Sequence, residues 1–394
     1  MSNTKDGAPR MRAYSHRRRF VTALAAALVP AGMLTLLWSP GALAATCESW
    51  SGTQPPNPGT SDNTLFSTTV LSPCDAWAVG FDFSSGANQT LIEHWTGAAW
   101  KVVPSPDPGS ANNFLTSIRA VSPADIWAVG GFSDGAGTRA MILHWNGRSW
   151  AQFESPNPGS ADNELNAVRA VSASDVWAVG TFSNNTANRT LILHWNGNGW
   201  KQVPSPDPGV ESDLFSVTAT SHGNAWAVGN FSGGGGEKNL ILHWNGTRWK
   251  QVPSPTPGIR DSLNGIGATS AANAWAVGFS SNGGADQTLI LHWNGRKWLH
   301  VASPDLGGPR NDNFLNGVVV TSAGNAWAVG SAASGLGDKT LILRWNGTKW
   351  EHVASPNPGS SNDLSGVAAS SPTNVWAVGT FSGTIRQALA VHCC

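Results

Sequence analysis

From about residue 50 onward, apolar and polar positions alternate in short runs, and no stretch of ten or more residues carries helical spacing. The runs are bounded by Gly, Pro, Asn and Ser, the residues that turn a chain. The pattern also repeats. Trp-Ala-Val-Gly begins at Trp77, Trp127, Trp177, Trp226, Trp275, Trp327 and Trp376, with spacings of 50, 50, 49, 49, 52 and 49. A fixed period of this size marks a solenoid, a propeller or an array.

The third copy, "ELNAVRAVSASDVWAVGTFSNNTANRTLILHWNGNGWKQVPSPDPG", divides into four predicted strands over 165–172, 175–182, 189–195 and 199–203. Asn196-Gly197 between the last two predicts a type I′ hairpin, in which both central residues take positive φ. The Pro-rich "PSPDPG" ends the fourth strand, because proline cannot donate to a ladder. Four strands per unit of about 50 residues is one propeller blade. The missing 3.6-residue period excludes a helical array, and a β-sandwich would not repeat so faithfully. The expected fold is therefore all-β, a single seven-bladed propeller of four-stranded blades, with the recurring tryptophans packing blade against blade.

The chain ends explain how such a ring closes. Trp50 aligns with Trp100, Trp150 and Trp200, so the ring begins with a fourth strand, and "ALAVH" near the C-terminus is a third strand. Together they complete one blade and remove two exposed sheet edges. Cys47, Cys393 and Cys394 take the positions of hairpin Gly, Trp and Asn in the other copies, and Cys74 lies in a turn of the first blade. Four cysteines allow three pairings. Cys47–Cys394 and Cys74–Cys393 are the expected pair of disulfides, a clasp suited to an exported protein.

The first 44 residues stand apart. A basic stretch ending in Arg17-Arg18-Arg19, an apolar run over Val21–Trp38 and Ala42-Leu43-Ala44 read as a cleaved signal peptide, exported by the Sec or the twin-arginine route. The remaining 45–394 is the propeller, with no stretch apolar enough to span a membrane. Losing six basic residues and one acidic residue leaves 18 and 23, a net charge of −5. Without a basic footprint, nucleic acid is not expected as a partner. The ring keeps 20 tryptophans and no tyrosine, since Tyr14 is the sole tyrosine of the chain.

"SDVWAVG" followed by "LILHWNGNGW" resembles secreted bacterial propellers built from WAVG-type repeats, which have no assigned function. The hairpin "HWNGNGW" is similar to the Asp-box hairpin of sialidase-type (BNR) repeats, though shorter, and the blades resemble those of kelch and photosystem II assembly-factor propellers. The resemblance covers residues 50–394 and implies an architecture, whereas propellers host many functions.

Sialidase chemistry uses a tyrosine nucleophile and an arginine cluster. Here tyrosine is missing from the ring, and only Arg119 and Arg169 share the equivalent first-strand position. The other blades place Thr69, Thr218, Gly267, Val319 and Ala368 there. Histidines recur at His94, His144, His194, His243, His292 and His392, but one per blade is too dispersed for a shared zinc, so no metal or cofactor is expected. The loops entering the first strands end at Asn63, Asn113, Asn163, Asp213, Asp261, Asn313 and Asn362. These either cap turns or ring the channel mouth; with Arg119 and Arg169 they form the candidate ligand site. The expectation is a secreted, monomeric, non-enzymatic binding propeller engaging an extracellular glycan or protein through its long-loop face. The alternative is a carbohydrate-active enzyme, a glycoside hydrolase or lyase, using acidic residues at that mouth.

Overall fold

The computed structural model describes residues 49–135, 137–233 and 235–393. The predicted signal peptide, Cys47 and Cys394 lie outside them. Twenty-eight strands and no helix form the described chain. No helix among the described residues is therefore long and apolar enough to cross a membrane. The strands group by antiparallel pairing into seven four-stranded blades. Two of these, starting at Glu211 and Arg260, are joined by a single parallel bridge, Glu237 to Arg260.

Blade 3 shows the plan: inner strand Asn163–Ser172, second Asp175–Ser183, third Asn188–Trp195 and outer Trp200–Gln202. The seventh blade closes the ring. Its first three strands are Asn362–Ser371, Asn374–Ser382 and Arg386–Cys393, and its outer strand is Ser51–Thr53 from the N-terminal end. Gly52 lies opposite Val391 in that ladder.

Tryptophan packing explains the repeat. Trp177 is fully buried, stacks at 4.1 Å on His194 of its own blade, and meets Trp244 at 5.0 Å and Trp249 at 5.2 Å in the next. The edge-to-face geometry of the last pair is the favourable one for aromatic quadrupoles. Trp376 meets Trp95 and Trp100 of blade 1 in the same way, so the seam between last and first blades is packed like any other. The junction of blades 6 and 7 differs. Trp327 has Arg344 over its ring at 5.3 Å in place of histidine, and buried Cys393 stands where a third-strand tryptophan would be.

The histidines brace this packing. The Nε2 of His94, His144 and His194 meets Asp75, Asp125 and Asp175, and that of His243, His292 and His392 meets Asn224, Asn273 and Asn374, all at 2.8–2.9 Å. Burial holds His243, His292 and His392 below the usual imidazole range.

The glycine of Trp-Ala-Val-Gly serves a close approach. A Cβ on Gly180 would lie 2.0 Å from the carbonyl oxygen of Glu164, where the inner strand bulges between Leu165 and Ala167.

Two expectations change. The Asn-Gly hairpin is a four-residue loop between paired Trp195 and Trp200, with positive φ at Gly197 alone. The Asn196 side chain accepts from the N–H groups of Asn198 and Gly199, so an Asx turn replaces the type I′ geometry. The Cys74–Cys393 disulfide is also not formed. Cys74 is a free, exposed thiol packed over Gly97 in its own blade, while Cys393 is buried at the end of its strand with its sulfur engaged elsewhere. The two occupy different blades.

Candidate functional site

The loop-end residues turn inward to the fold. Asn63, Asn113 and Asn163 each accept the N–H of the glycine four positions earlier at 2.7 Å, with Asn313 and Asn362 accepting from Gly307 and Gly359 at 2.9 and 2.8 Å. Both oxygens of Asp261 take the Gly258 N–H at 3.1 Å. All six are nearly solvent-inaccessible. They pin the Pro-Gly loop to the start of the inner strand, which is the turn-capping role. In blade 4 the bracket is Ser212, and Asp213 instead accepts from Thr181 and Asn188 of blade 3 at 2.9 and 3.1 Å.

Inside this frame the inner strands surround an axial channel of about 300 Å³, lined from all seven blades. In four of the inner strands the bulged residue bonds to the following blade. Thr116, Asn166, Asn264 and Asn316 donate to the carbonyls of Leu165, Leu214, Leu315 and Leu364 in the following blade, at 2.6–3.0 Å.

The channel is electrostatically lopsided. Arg119 and Arg169 stand at the same height in blades 2 and 3, opposite Trp127 and Trp177 in their own sheets. They line both the channel and its widened mouth toward the short-turn face, a space of about 380 Å³. Each side chain is half-buried, its Nε is buried without a partner, and no ion pair among the described residues involves either. Burial pushes Arg119 down, and burial together with the charge of Arg119 pushes Arg169 down to about 9. A guanidinium keeps its charge at neutral pH, so both are cationic there. Two unpaired guanidinium forks side by side are equipped to take a carboxylate, sulfate or phosphate oxygen set.

The opposite end carries acids. Glu164 is raised by burial and then by Asp162 and Asp213, and Asp363 is raised by burial against the lowering hydrogen bonds of Ser331, Ser365 and Asn316. Glu164 escapes sequence inspection because its position reads Thr64, Phe114, Asp213, Ser262, Phe314 and Asp363 in the other blades. Arg119 and Arg169 were legible because two identical charges interrupt an otherwise small or apolar position.

No protein-family model and no curated protein matches the chain. Solved structures similar to it are propellers. YCF48 bound to a D1 peptide aligns with a TM-score of 0.55 at 14% identity, over 87% of this chain and 96% of that one. YCF48 from Cyanidioschyzon merolae aligns at 0.52 and 16%, over 88% and 98%. The GH74 xyloglucanase from Xanthomonas campestris aligns at 0.53 and 12%, over 84% of this chain and 53% of that one. At such identities the likeness is one of fold.

Proposed function

We propose that this protein is an exported, monomeric binding propeller whose axial channel takes an anionic group of an extracellular glycan or protein. The observation that carries this reading is the unpartnered Arg119–Arg169 pair. Two like charges held half-buried in neighbouring blades cost stability, and a bound anion would relieve that cost. Such a ligand enters from the short-turn mouth, which the two arginines line, and not from the long-loop face. The propeller YCF48 with its bound peptide is a precedent for partner binding by this fold. Cys47, Cys393 and Cys394 supply the disulfide clasp in this reading, with Cys74 outside it.

Binding to arrays of uronate- or sulfate-bearing glycans and of acidic peptides tests the proposal. Signals should vanish in an Arg119→Gln/Arg169→Gln double variant. Undiminished binding by that variant, or preference for neutral glycans, would refute it.

Glu164 favours one second reading. A carboxyl whose proton affinity is raised by burial and by nearby Asp162 and Asp213 is shifted in the direction a general acid needs. Product release from a polysaccharide, abolished by Glu164→Gln, would select an enzyme over a binder.

A further inference from the structure

Among the ring histidines, His222 breaks the repeat. Its position in the turn between first and second strands is Pro73, Pro123, Ala173, Ala271, Ala323 and Pro372 in the other blades. There the backbone does the structural work: the carbonyls of Pro73, Pro123, Ala173, His222, Ala271 and Ala323 accept the indole N–H of the third-strand tryptophan at 3.0–3.2 Å. The imidazole of His222 is therefore not required by the fold, and its side chain is 76% exposed.

It reaches back across the blade boundary to Asp175. Oδ1 of Asp175 meets Nε2 of His194 at 2.8 Å, as in the brace of other blades, and Oδ2 meets Nδ1 of His222 at 3.1 Å. Blades 4 to 7 carry Asn at the Asp175 position, so a carboxylate and an extra histidine coincide at one junction. The ligating atoms of the three side chains lie within 4.8 Å of one another.

We propose that Asp175, His194 and His222 form a divalent transition-metal site, with zinc the ion that best matches one carboxylate and two imidazoles. Ligands at about 2.0–2.1 Å around a tetrahedral ion stand roughly 3.3 Å apart, so the two Asp175 contacts need only open slightly, while the widest separation, up to 4.8 Å, closes by rotation of the exposed His222 side chain. Asp175 and His194 are 9% and 18% exposed, a rigid floor on which His194 is already oriented by its stack on Trp177. His222 is the exposed third ligand, and its exposure leaves the fourth position to water or a partner's donor atom. Lys201, across the strand from His194, is exposed and can turn its ammonium to water. The bound ion would tie blade 3 to blade 4 and mark the short-turn face with an open coordination position. Sequence spacing misses this site because the periodic histidines each serve their own blade, and the decisive one lies outside the period.

The test is titration of the chelator-stripped protein with Zn²⁺ by calorimetry, and with Co²⁺ by visible absorption. One equivalent should bind, with a tetrahedral Co²⁺ spectrum. His222→Ala and Asp175→Asn should each weaken Zn²⁺ binding by at least about tenfold. Both variants should fold, since alanine occupies the first position and asparagine the second in sibling blades. Asp125→Asn, which alters the same brace in blade 2, should leave affinity unchanged. Lack of saturable Zn²⁺ uptake by the unmodified protein, or affinity indifferent to His222→Ala, overturns the proposal.

Discussion

Ser51 stands opposite His392 in an antiparallel ladder, although 341 positions separate them in the chain. Thr53 of the same short strand accepts from the indole N–H of Trp100 in the first blade at 3.1 Å. Trp50, just before the strand, meets Trp327 of blade 6 edge-to-face at 5.5 Å. Ser51 thus joins the two chain ends within blade 7, while Thr53 and Trp50 tie that blade to both of its neighbours.

Because closure is shared around the ring, damage at the seam should be felt everywhere. Trp50→Ala removes a side chain 7% exposed and should cost about 3–5 kcal/mol. Calorimetry should show one transition moved to lower temperature. Deletion of residues 388–394 should do the same more severely, by orphaning the N-terminal strand. An unchanged main transition in either variant would mean that the ring does not depend on its closure.

Glu93 carries a pH dependence whose sign is fixed. It is fully buried, both carboxyl oxygens lack a partner, and burial raises it to about 8. The equivalent residues are Leu143, Leu193, Leu242, Leu291, Leu343 and Val391, each inside an interblade cluster. A folded-state value above the unfolded one means that the native state holds the proton more tightly. Its contribution is fully present below the unfolded value near 4.5 and is lost as pH rises through about 8. The loss is at most about 5 kcal/mol. Glu93→Leu should be more stable than the parent at pH 8.5 in urea melts, with the difference shrinking toward pH 5. Equal stability at both pH values would contradict the assignment.

The architecture was readable because it is written seven times. Period, strand count and the Trp50 register each state the same geometry, so a local misreading in one copy is corrected by the others. The hairpins show the limit. Asn196-Gly197 suggested two residues of positive φ, yet the Asn side chain supplies the turn's hydrogen bonds and leaves that conformation to Gly197. In blade 4 the cap is Ser212, so the neighbouring Asp213 stands one residue beyond the capping position and is freed to bond to blade 3. The chemically distinctive positions are the departures from the repeat consensus. Arg119 and Arg169 recur, so they were visible. Glu93, Glu164 and His222 each occur once, and a single polar substitution in a repeat gains meaning only from its neighbours in space.

Cys74 offers a simple chemical check on the clasp. As an exposed free thiol it should react with a maleimide in the native protein within minutes. Cys393 is wholly buried and should remain unlabelled until the ring is unfolded and reduced. Peptide mapping by mass spectrometry distinguishes the two. Native Cys74 recovered in a disulfide with Cys393 would restore the pairing expected from sequence.

The arginine pair predicts a stability change in the absence of any ligand. Arg169 is lowered from the usual arginine range to about 9, so above about 9 the unfolded chain binds more protons than the folded one. Stability should therefore rise with pH above about 9, and the penalty is full below it. Arg119→Leu removes one of the two causes and a buried, unpartnered Nε. The variant should be more stable by roughly 1–3 kcal/mol at pH 7, after allowance for the partial exposure of the pair. Its profile above pH 9 should be flatter. Tyrosine cannot blur that range, because residues 45–394 contain none. Sulfate should raise the melting temperature of the parent more than chloride of equal ionic strength does, and Arg119→Leu should remove most of that excess. A variant less stable than the parent and equally sensitive to sulfate would show that the two guanidinium groups hold the channel together and do not await an anion.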